Sequence, residues 1–484
     1  MGFKSFLHRE PTRPKLVELR SAKWFIIFTV SFAASTDYFM YGLIVPVTPT
    51  ALERRVGISK DDIQSWNSIL LALYSAATLA FSPVVGYLAD RFESRRWPLL
   101  FGLVALGAAT ALLCIGTNLG LWIAGRLFQG MASAVVWTVG IALLVDTVGK
   151  EGFGQAVGYV SMALSMGTVA GPLLGGVLYQ HGGYYSVFGL AFGLIAIDIF
   201  LRVVLIEQKH AIPWLAPERR PLSPTLGEKK DDTAASNAQV AASSAVSSIE
   251  SLEKPKHSRH PLKQIAALLG SPRLSVALWG YFVVSLVLSS FDSVLPLFVE
   301  ETFGWQQTGQ GLIFFPIMLP HLVDPITGTI IDKYPKSTRY LVSGAFLGAV
   351  PVAVLLRVVK NDTLHDKVVL CALLALLGLC VAIAMTPLAA EVFFSVNEKE
   401  AESPDSFGRG GAMALAFGLT NMSFAAGTLI GPFFAGFIRQ SAGWGTMGWA
   451  MGLITGVSAL PVLLFLGGYI LRKPIVKQDQ AGSD

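Results

Sequence analysis

The sequence is poor in charged residues and nearly free of cysteine. Asp, Glu, Lys and Arg make up 14% of its 484 residues, against about 25% in soluble proteins. So little charge cannot cover the surface of soluble domains, and 53% of the residues are hydrophobic. The 3 cysteines exclude a disulfide scaffold, and the apolar composition excludes whole-chain disorder. These figures predict a polytopic membrane protein.

The sequence also lacks the signatures of ATP-driven and enzymatic chemistry. It contains no G-x-x-x-x-G-K-[ST] loop and no G-x-S-x-G elbow. No His and Glu residues occur at a metal-ligand spacing, and the net charge of +5 forms no basic stripe for nucleic acid. We therefore expect a protein that is not an enzyme and that needs no cofactor and no metal.

Long apolar runs predict the architecture. About 20 such residues cross a bilayer, and twelve candidates lie at 24–50, 66–89, 97–115, 119–146, 153–179, 184–206, 275–299, 308–331, 339–357, 367–394, 411–438 and 446–471. Residues 207–273, between the sixth and the seventh candidate helices, are Ser/Ala-rich and charged, which predicts a disordered linker. Tails at 1–23 and 472–484 complete an all-α membrane protein with six-helix bundles at 24–206 and 274–471.

Lys and Arg are concentrated in the tails, the linker and the loops on one side of the predicted helices. The positive-inside rule then places both termini in the cytoplasm. We expect the plasma membrane, with a vacuolar or vesicular membrane as the alternative. The sequon Asn361-Asp362-Thr363 falls in a loop on the opposite side, which predicts glycosylation at Asn361.

Two motifs occur once in each half of the chain. The first half carries Gly86-Tyr-Leu-Ala-Asp90-Arg91 and Gly167-Thr-Val-Ala-Gly171-Pro172, and the second carries Gly328-Thr-Ile-Ile-Asp332-Lys333 and Gly427-Thr-Leu-Ile-Gly431-Pro432. Such a repeat predicts two pseudo-symmetric six-helix bundles related by an axis along the membrane normal. Transporters built in this way bind substrate between the halves, near the midplane.

The two motifs predict parts of a gate. In the first, Asp90, Arg91 and Arg95 form a charge cluster for which Asp146 is a plausible partner, and a cluster made in one state and broken in another would bias a rocking equilibrium. A simple topological charge anchor is the alternative. In the second, glycines at four-residue spacing make a smooth packing face and the proline kinks the helix. We expect this kinked helix to lie between the halves.

These residues resemble a known family. The loop from Gly86 matches the G-x-x-x-D-R-x-x-R-R signature of the Major Facilitator Superfamily, and Arg126-Leu-Phe-Gln129-Gly130 resembles its R-x-x-Q-G motif. The motif from Gly167 looks like that of its drug:proton antiporters. Asp37, followed by Val45-Pro46 and Pro49, resembles the D-x(7)-V-P-x-x-P pattern of the twelve-helix antiporter family. Vesicular amine transporters are similar in the same places.

Ionisable residues inside membrane helices are the candidates for proton coupling, since each costs about 2.5–3.5 kcal/mol at a helix centre. Asp37 would exchange a proton for substrate while Arg126 tunes its proton affinity. The remaining candidates for proton coupling or substrate contact are Asp292, His321, Asp324, Glu391 and Asn421. Alternatively, Asp324-Pro325 is a helix break capped by its own side chain, and Glu391 reaches water near the inner end of its helix.

Departures from the vesicular amine transporters narrow the resemblance. Their helix-11 acid aligns with Asn421, their helix-10 acid with Ala382 and their helix-2 lysine with Tyr74. Fungal drug and metabolite exporters are therefore the better match. Tyr38, Tyr41 and Trp137 are candidate cavity residues for an aromatic or apolar substrate, with lipid-facing or packing roles as the alternative.

Taken together, the resemblance implies a proton antiporter that exports a small organic compound such as a drug, toxin or secondary metabolite. Its partners would be that substrate, protons and the lipid bilayer, and we expect a monomer. A proton symporter that imports a nutrient is the first alternative on the same fold. A membrane sensor without transport is the second.

Overall fold

A computed structural model describes residues 14–92, 94–215, 261–402, 407 and 411–468. The tail predicted at 472–484 and the central part of the predicted linker lie outside these residues. The first bundle consists of α1 (Lys23–Leu43), α2 (Lys60–Ala89), α3 (Arg96–Ile115), α4 (Leu119–Val148), α5 (Phe153–Gly182) and α6 (Tyr184–Val204). Short helices Val17–Arg20 and Gln208–Leu215 flank this bundle.

The second bundle begins after the linker with the short helix Pro261–Leu269. It consists of α7 (Pro272–Phe303), α8 (Thr308–Lys333), α9 (Thr338–Leu355), α10 (Leu364–Glu402) and the long helix Met413–Phe465. Non-helical backbone at Gly443 divides that helix into α11 (413–442) and α12 (444–465). Undivided, its 53 residues would extend about 80 Å, far beyond the roughly 30 Å hydrocarbon core.

The described residues contain twelve membrane helices. Ten are long and apolar enough to cross a bilayer, and the pair Lys23–Leu43 and Thr48–Val56, bent by 51°, is an eleventh. The helix divided at Gly443 is one of the ten, and its two arms give the twelfth. This confirms the predicted all-α membrane fold. Side chains such as Phe101, Phe200, Phe437 and Leu460 are more than 60% exposed, as expected of surfaces that face lipid.

Prolines break two helices that the apolar runs predict to be continuous. α1 ends at Leu43, just before Pro46, and the chain bends before it continues as Thr48–Val56. In α8, a 3-10 segment at Leu319–Val323 contains Pro320, and regular helix resumes at Asp324. Proline lacks the amide hydrogen and restricts the residue before it, so hydrophobicity continues where the helix does not.

The two bundles meet along two pairs of helices. α2 packs against α11, and α5 packs against α8. We call these contacts the α2–α11 seam and the α5–α8 seam. We call the end of the molecule that carries Asp90, Asp332 and both ends of the linker the linker end, and the opposite end the far end. Both seams are closed at the linker end, where Asp90, Arg91, Arg95 and Asp146 of the predicted charge cluster lie.

Candidate functional site

Asp37 lies in the middle of α1 and is 1% exposed. Its Oδ2 accepts three hydrogen bonds, from Ser133 Oγ at 2.7 Å, Trp137 Nε1 at 3.0 Å and Tyr74 Oη at 3.2 Å. Its Oδ1 is buried and has no hydrogen-bond partner. A carboxylate in this setting has one oxygen held in place and one oxygen available for a proton.

Arg126 lies on the same face of α4 as Ser133 and Trp137, but nearer the far end. It is fully buried, and its Nη1 donates to Gln129 Oε1 at 3.2 Å. Its Nε and Nη2 have no hydrogen-bond partner, and no carboxylate lies within 4 Å among the described residues. Arg126 therefore does not form an ion pair with Asp37. Its connection to that residue runs past Tyr74, which interacts with both.

A cavity lies between the bundles beside Asp37. Its walls come from both halves and are formed by Tyr38, Trp137, Ile141, Val157, Val160, Ser161, Leu164, Tyr281, Met385, Ala389, Phe417, Thr420, Asn421 and Phe424. None of these residues is charged. Tyr38 and Trp137, two of the three aromatics predicted to line a cavity, meet edge to face at 5.7 Å. Tyr41, the third, lies outside the wall and packs on Tyr74 at 5.0 Å.

Asp292 of α7 is exposed, although it belongs to a helix in the middle of the protein. It interacts electrostatically with Tyr38 and Tyr41 of α1, in the opposite bundle. Asp292 therefore faces the cleft between the halves, on the far-end side of the cavity. An exposed carboxylate at this depth indicates a cleft that solvent reaches from the far end.

His321 and Asp324 form a buried pair in the broken part of α8. His321 Nδ1 and Asp324 Oδ2 are 2.9 Å apart, and both residues are at most 1% exposed. His321 Nε2 and Asp324 Oδ1 have no hydrogen-bond partner. Asp324 also begins the helical segment Asp324–Lys333. The sequence offers a helix break and an ionisable pair as alternative interpretations of these residues. The structure contains both.

Glu391 of α10 does not reach water, so the alternative prediction that it does is wrong. It is fully buried and forms a short ion pair with Arg273 of α7. Its Oε1 also accepts a hydrogen bond from the backbone amide of Gly467 at 2.6 Å. The helix extends eight residues beyond the predicted end, to Glu402, so Glu391 is deeper than the apolar run indicates. It joins α10 to α7 and to the end of α12.

Asp90 and Asp332 hold the linker end closed in the same way. Asp90 accepts hydrogen bonds from the amides of Ala414 and Leu415, at 2.9 and 2.8 Å, where α11 begins. Asp332 accepts bonds from Gly154 and Gln155 at 2.8 and 2.9 Å, where α5 begins. Each carboxylate thus binds the free amides and positive dipole end of a helix in the opposite bundle. We call these contacts the two aspartate latches.

Arg95 supports the first latch. Its Nε lies 3.0 Å from Asp146 Oδ2, and its Nη2 lies 3.8 Å from Asp90 Oδ1. The structure thus brings together Asp90, Arg95 and Asp146 of the predicted cluster. Arg91 is exposed, and its guanidinium lies over the ring of Tyr87 at 4.2 Å.

Burial raises the pKa of Asp90 to about 7, while the two backbone donors and Arg95 act in the opposite direction. The ordinary value for a solvated aspartate is near 4. The closed latch therefore binds a proton more tightly than an open one. Closure at the linker end should gain stability as the pH falls from about 7 towards 4.

α5 lies between the halves, as the sequence predicts, because it packs against α8 of the other bundle. The repeated glycines of its motif, however, pack closely on a helix of their own bundle. A Cβ on Gly171 would come within 2.7 Å of Phe39 O in α1, and Gly42 of α1 faces Pro172. Gly167 likewise packs on α1, and Gly427 and Gly431 pack on α7 in the second bundle, as does the turn that leads to Pro432. These contacts stay within each bundle.

Other glycines make the contacts between the bundles. A Cβ on Gly86 would come within 2.6 Å of Ala414 O, and one on Gly154 within 2.6 Å of Gly328 O. Gly158 approaches the backbone of Asp324 as closely. Gly154 and Gly158 belong to no motif that predicts a role at the interface.

An aromatic cluster closes the cavity towards the linker end. Phe153 of α5 stacks on Phe393 of α10 with ring centroids 4.5 Å apart, and Phe417 of α11 lies 5.9 Å from Phe153. All three are buried and come from both bundles. Of these, Phe417 also lines the cavity. In α6, the i,i+4 spacing of Asp198 and Arg202 predicts an ion pair at the membrane interface. Both side chains are instead buried, and neither has a hydrogen-bond partner among the described residues.

Known proteins resemble this chain in sequence over most of its length. The family model of the Major Facilitator Superfamily matches residues 30–404. The chain belongs to the Major Facilitator Superfamily. It is 33% identical to "Uncharacterized MFS-type transporter C18.02" of Schizosaccharomyces pombe, over 93% of this chain and 95% of that one. It is 25% identical to "Probable vesicular acetylcholine transporter-B" of Danio rerio, over 96% and 82%.

A solved structure shares the fold. The human organic anion transporter MFSD10 (TETRAN) superimposes with a TM-score of 0.64 at 17% identity, over 91% of this chain and 99% of that one. Membership in this superfamily confirms the predicted resemblance, the two-bundle fold and a multi-pass membrane transporter of small molecules rather than an enzyme.

Proposed function

We propose that the protein is a proton-coupled antiporter that exports a small organic compound by alternating access. The observation that carries this proposal is the position of Trp137. Its indole nitrogen donates to Asp37, while its ring forms part of the cavity wall. One side chain thus touches both the proposed proton site and the proposed substrate site.

This geometry supports exclusive binding of proton and substrate. Ionised Asp37 holds the Trp137 ring in the position that shapes the cavity for substrate. A proton on Oδ1 weakens Oδ2 as an acceptor and releases the indole. Proton binding then disfavours substrate binding, which is the linkage that antiport requires. Arg126 favours the ionised form, and His321 with Asp324 would take a second proton in the other bundle.

The latches and the cavity supply the conformational half of the cycle. With both latches closed and the cleft open at Asp292, substrate and protons exchange at the far end. Opening of the latches would expose the same cavity at the linker end. Under the predicted orientation, with both termini in the cytoplasm, substrate enters at the linker end and leaves at the far end, and protons move inward.

The test uses purified protein in liposomes that contain a pH-sensitive dye. A pH gradient is imposed, and lipophilic cations, neutral aromatics and organic acids are added in turn. We expect substrate-triggered proton movement that is lost in Asp37→Asn, because an amide occupies the same space and cannot carry the proton. Wild-type pH dependence in Asp37→Asn would refute the assignment of Asp37.

Trp137→Phe is the matched variant, because it keeps the ring and removes the donor to Asp37. Loss of a donor to a carboxylate favours its protonated form, so the midpoint of the transport–pH profile should move to higher pH. Direction is read from the same traces. Proton and substrate movement in the same direction would indicate the symporter, and no flux with any compound would favour the sensor.

A further inference from the structure

We propose that the cavity selects a neutral, ring-containing compound with a hydrogen-bond acceptor, and that Ser82 competes with this compound for the side-chain amide of Asn421. The inference rests on the proposed transport function and names the class of substrate and the residue that releases it. It comes from the α2–α11 seam at the point where that seam reaches the cavity.

The cavity wall excludes a charged substrate as its preferred occupant. No Asp, Glu, Lys or Arg is among its residues, and most of its surface comes from aromatic and aliphatic side chains. Burying a charged group there would cost far more than burying rings. Asp37, which Trp137 of the wall contacts, already accepts three hydrogen bonds on its Oδ2.

Three polar groups of the wall, those of Trp137, Tyr281 and Thr420, are engaged within their own bundle. Thr420 donates to Ala416 O at 3.0 Å, and Tyr281 donates to Met385 O at 3.3 Å. Asn421 differs, because its Nδ2 donates across the seam to Ser82 Oγ at 2.9 Å. Movement of the bundles therefore changes the partners of Asn421 and leaves those of Thr420 and Tyr281 in place.

Ser82 is itself held firmly on α2. It is fully buried and donates to Thr78 O at 2.6 Å. Its oxygen is therefore aimed at α11 as an acceptor for Asn421. When the linker end opens and α2 separates from α11, this acceptor is withdrawn, and both N–H groups of the Asn421 amide then face the cavity.

This exchange gives the substrate different affinities in the two states. With the linker end open, a carbonyl or ether oxygen on the substrate takes the donor that Ser82 has left. With the linker end closed, as in this structure, Ser82 takes that N–H back and the substrate loses this hydrogen bond. The link lies about 9 Å from the latch, since Asn421 is six residues from Leu415 in the same helix. Release of the substrate and closure of the latch thus proceed along one seam.

The test compares two ring systems that differ by one oxygen. Binding of 9-fluorenone and of fluorene is measured by equilibrium dialysis with purified protein, at fixed pH and without a gradient. We expect wild-type protein to prefer fluorenone. Ser82→Ala should tighten fluorenone binding about fivefold, because the competitor for the amide is gone. Asn421→Ala should weaken it about fivefold, and fluorene binding should change in neither variant.

Ser165→Ala is the control, because it removes a buried hydroxyl that bonds to Ser161 of its own helix. It should leave both affinities unchanged. If Ser82→Ala yields no folded protein, Ser82→Cys provides a weaker acceptor at the same place.

The proposal is overturned if both seam variants shift fluorenone binding in the same direction, or if fluorene responds equally. It is also overturned if neither compound binds, or if tetraphenylphosphonium binds and they do not. None of these outcomes depends on Asp37, so failure of proton coupling is scored separately.

Discussion

The two seams share one construction and differ at one position. Superposition of the repeated motifs places Gly86 with Gly328 and Asp90 with Asp332. Each aspartate binds two backbone amides at the start of a helix in the opposite bundle, and these two pairs of amides occupy equivalent positions. The same superposition places Ser82 of the α2–α11 seam with Asp324 of the α5–α8 seam. One seam therefore carries a neutral hydroxyl beside the cavity, and the other carries a carboxylate paired with His321.

This difference separates movement from chemistry. The parts that repeat, glycines in close contact and aspartates on helix ends, are those that two rigid bundles need in order to open and close. The parts that do not repeat are Asp37, Arg126, the His321–Asp324 pair and the Ser82–Asn421 link. These residues can bind a proton or a substrate, and a transporter needs each of them only once.

Substitution of the seam glycines should have the largest effect and tests whether the seams are equivalent. Gly86→Ala and Gly154→Ala would each place a methyl group about 2.6 Å from a backbone oxygen of the other bundle. Overpacking costs about 1–3 kcal/mol, here against the closed state, so both variants should open the linker end and lose most transport. Opening is measured as the distance between spin labels at Lys150 and Lys336, which are exposed at the linker end in opposite bundles.

Two further glycines serve as controls. Gly176→Ala adds a methyl group with nothing within 4 Å and should behave as wild type. Gly171→Ala meets Phe39 O of the same bundle at 2.7 Å, so it should lower the unfolding temperature without widening the label distance. A widened distance in Gly171→Ala, or in only one of the two seam variants, would contradict the division between packing within and between bundles.

The latches should show an effect of similar size and should be unequal. Asp90→Ala removes two charge-assisted bonds and also leaves Arg95 without one of its carboxylates, whereas Asp332→Ala removes the two bonds alone. Hydrogen bonds to charged groups contribute about 1.5–3 kcal/mol. We therefore expect both variants to populate the open linker end, Asp90→Ala more than Asp332→Ala, in the same spin-label measurement.

Asp362→Ala is the matched control, since it removes an exposed carboxylate that pairs with Lys367 at the far end. It should leave the label distance unchanged. A pH series tests the first latch further. Where Asp90 is present, closure should weaken as the pH rises from 4 to 7, by at most about tenfold per pH unit. An equal response in Asp90→Ala would assign that pH dependence to another group.

Much of this construction was open to prediction from sequence, for a physical reason. Membrane helices and motif repeats are local, so apolar runs and the repeated Gly-x-x-x-Asp pattern indicate the bundles, and the Asp90 cluster is close in sequence. Glu391 shows the limit, because its depth depends on where α10 ends and its ion pair on Arg273, which lies in another helix. The cross-bundle partners of Asp332 and Asn421 are equally non-local, and no spacing within one helix reveals them.

The smallest expected effect concerns the loops at the far end and would fix the direction of the cycle. In the first bundle, the loop between α3 and α4 ends at Asn118, whose side chain caps α4 at Leu121 N. In the corresponding loop of the second bundle, Asp366 receives the amides of Lys360 and Asn361, and the Asn361 side chain is exposed. Asn361 lies in a sequon and its side chain is exposed, whereas Asn118, followed by Leu119 and Gly120, is in no sequon and caps α4.

In a eukaryotic host, wild-type protein should lose apparent mass on glycosidase treatment, and Asn361→Gln should have the lower mass without loss of transport. Glycosylation occurs on the luminal or extracellular side, so this result would place the far end outside. Substrate released there would leave the cytoplasm while protons taken up there move inward, as the proposed cycle requires. An unmodified Asn361 in protein that transports normally would remove that support and leave import as the direction to test.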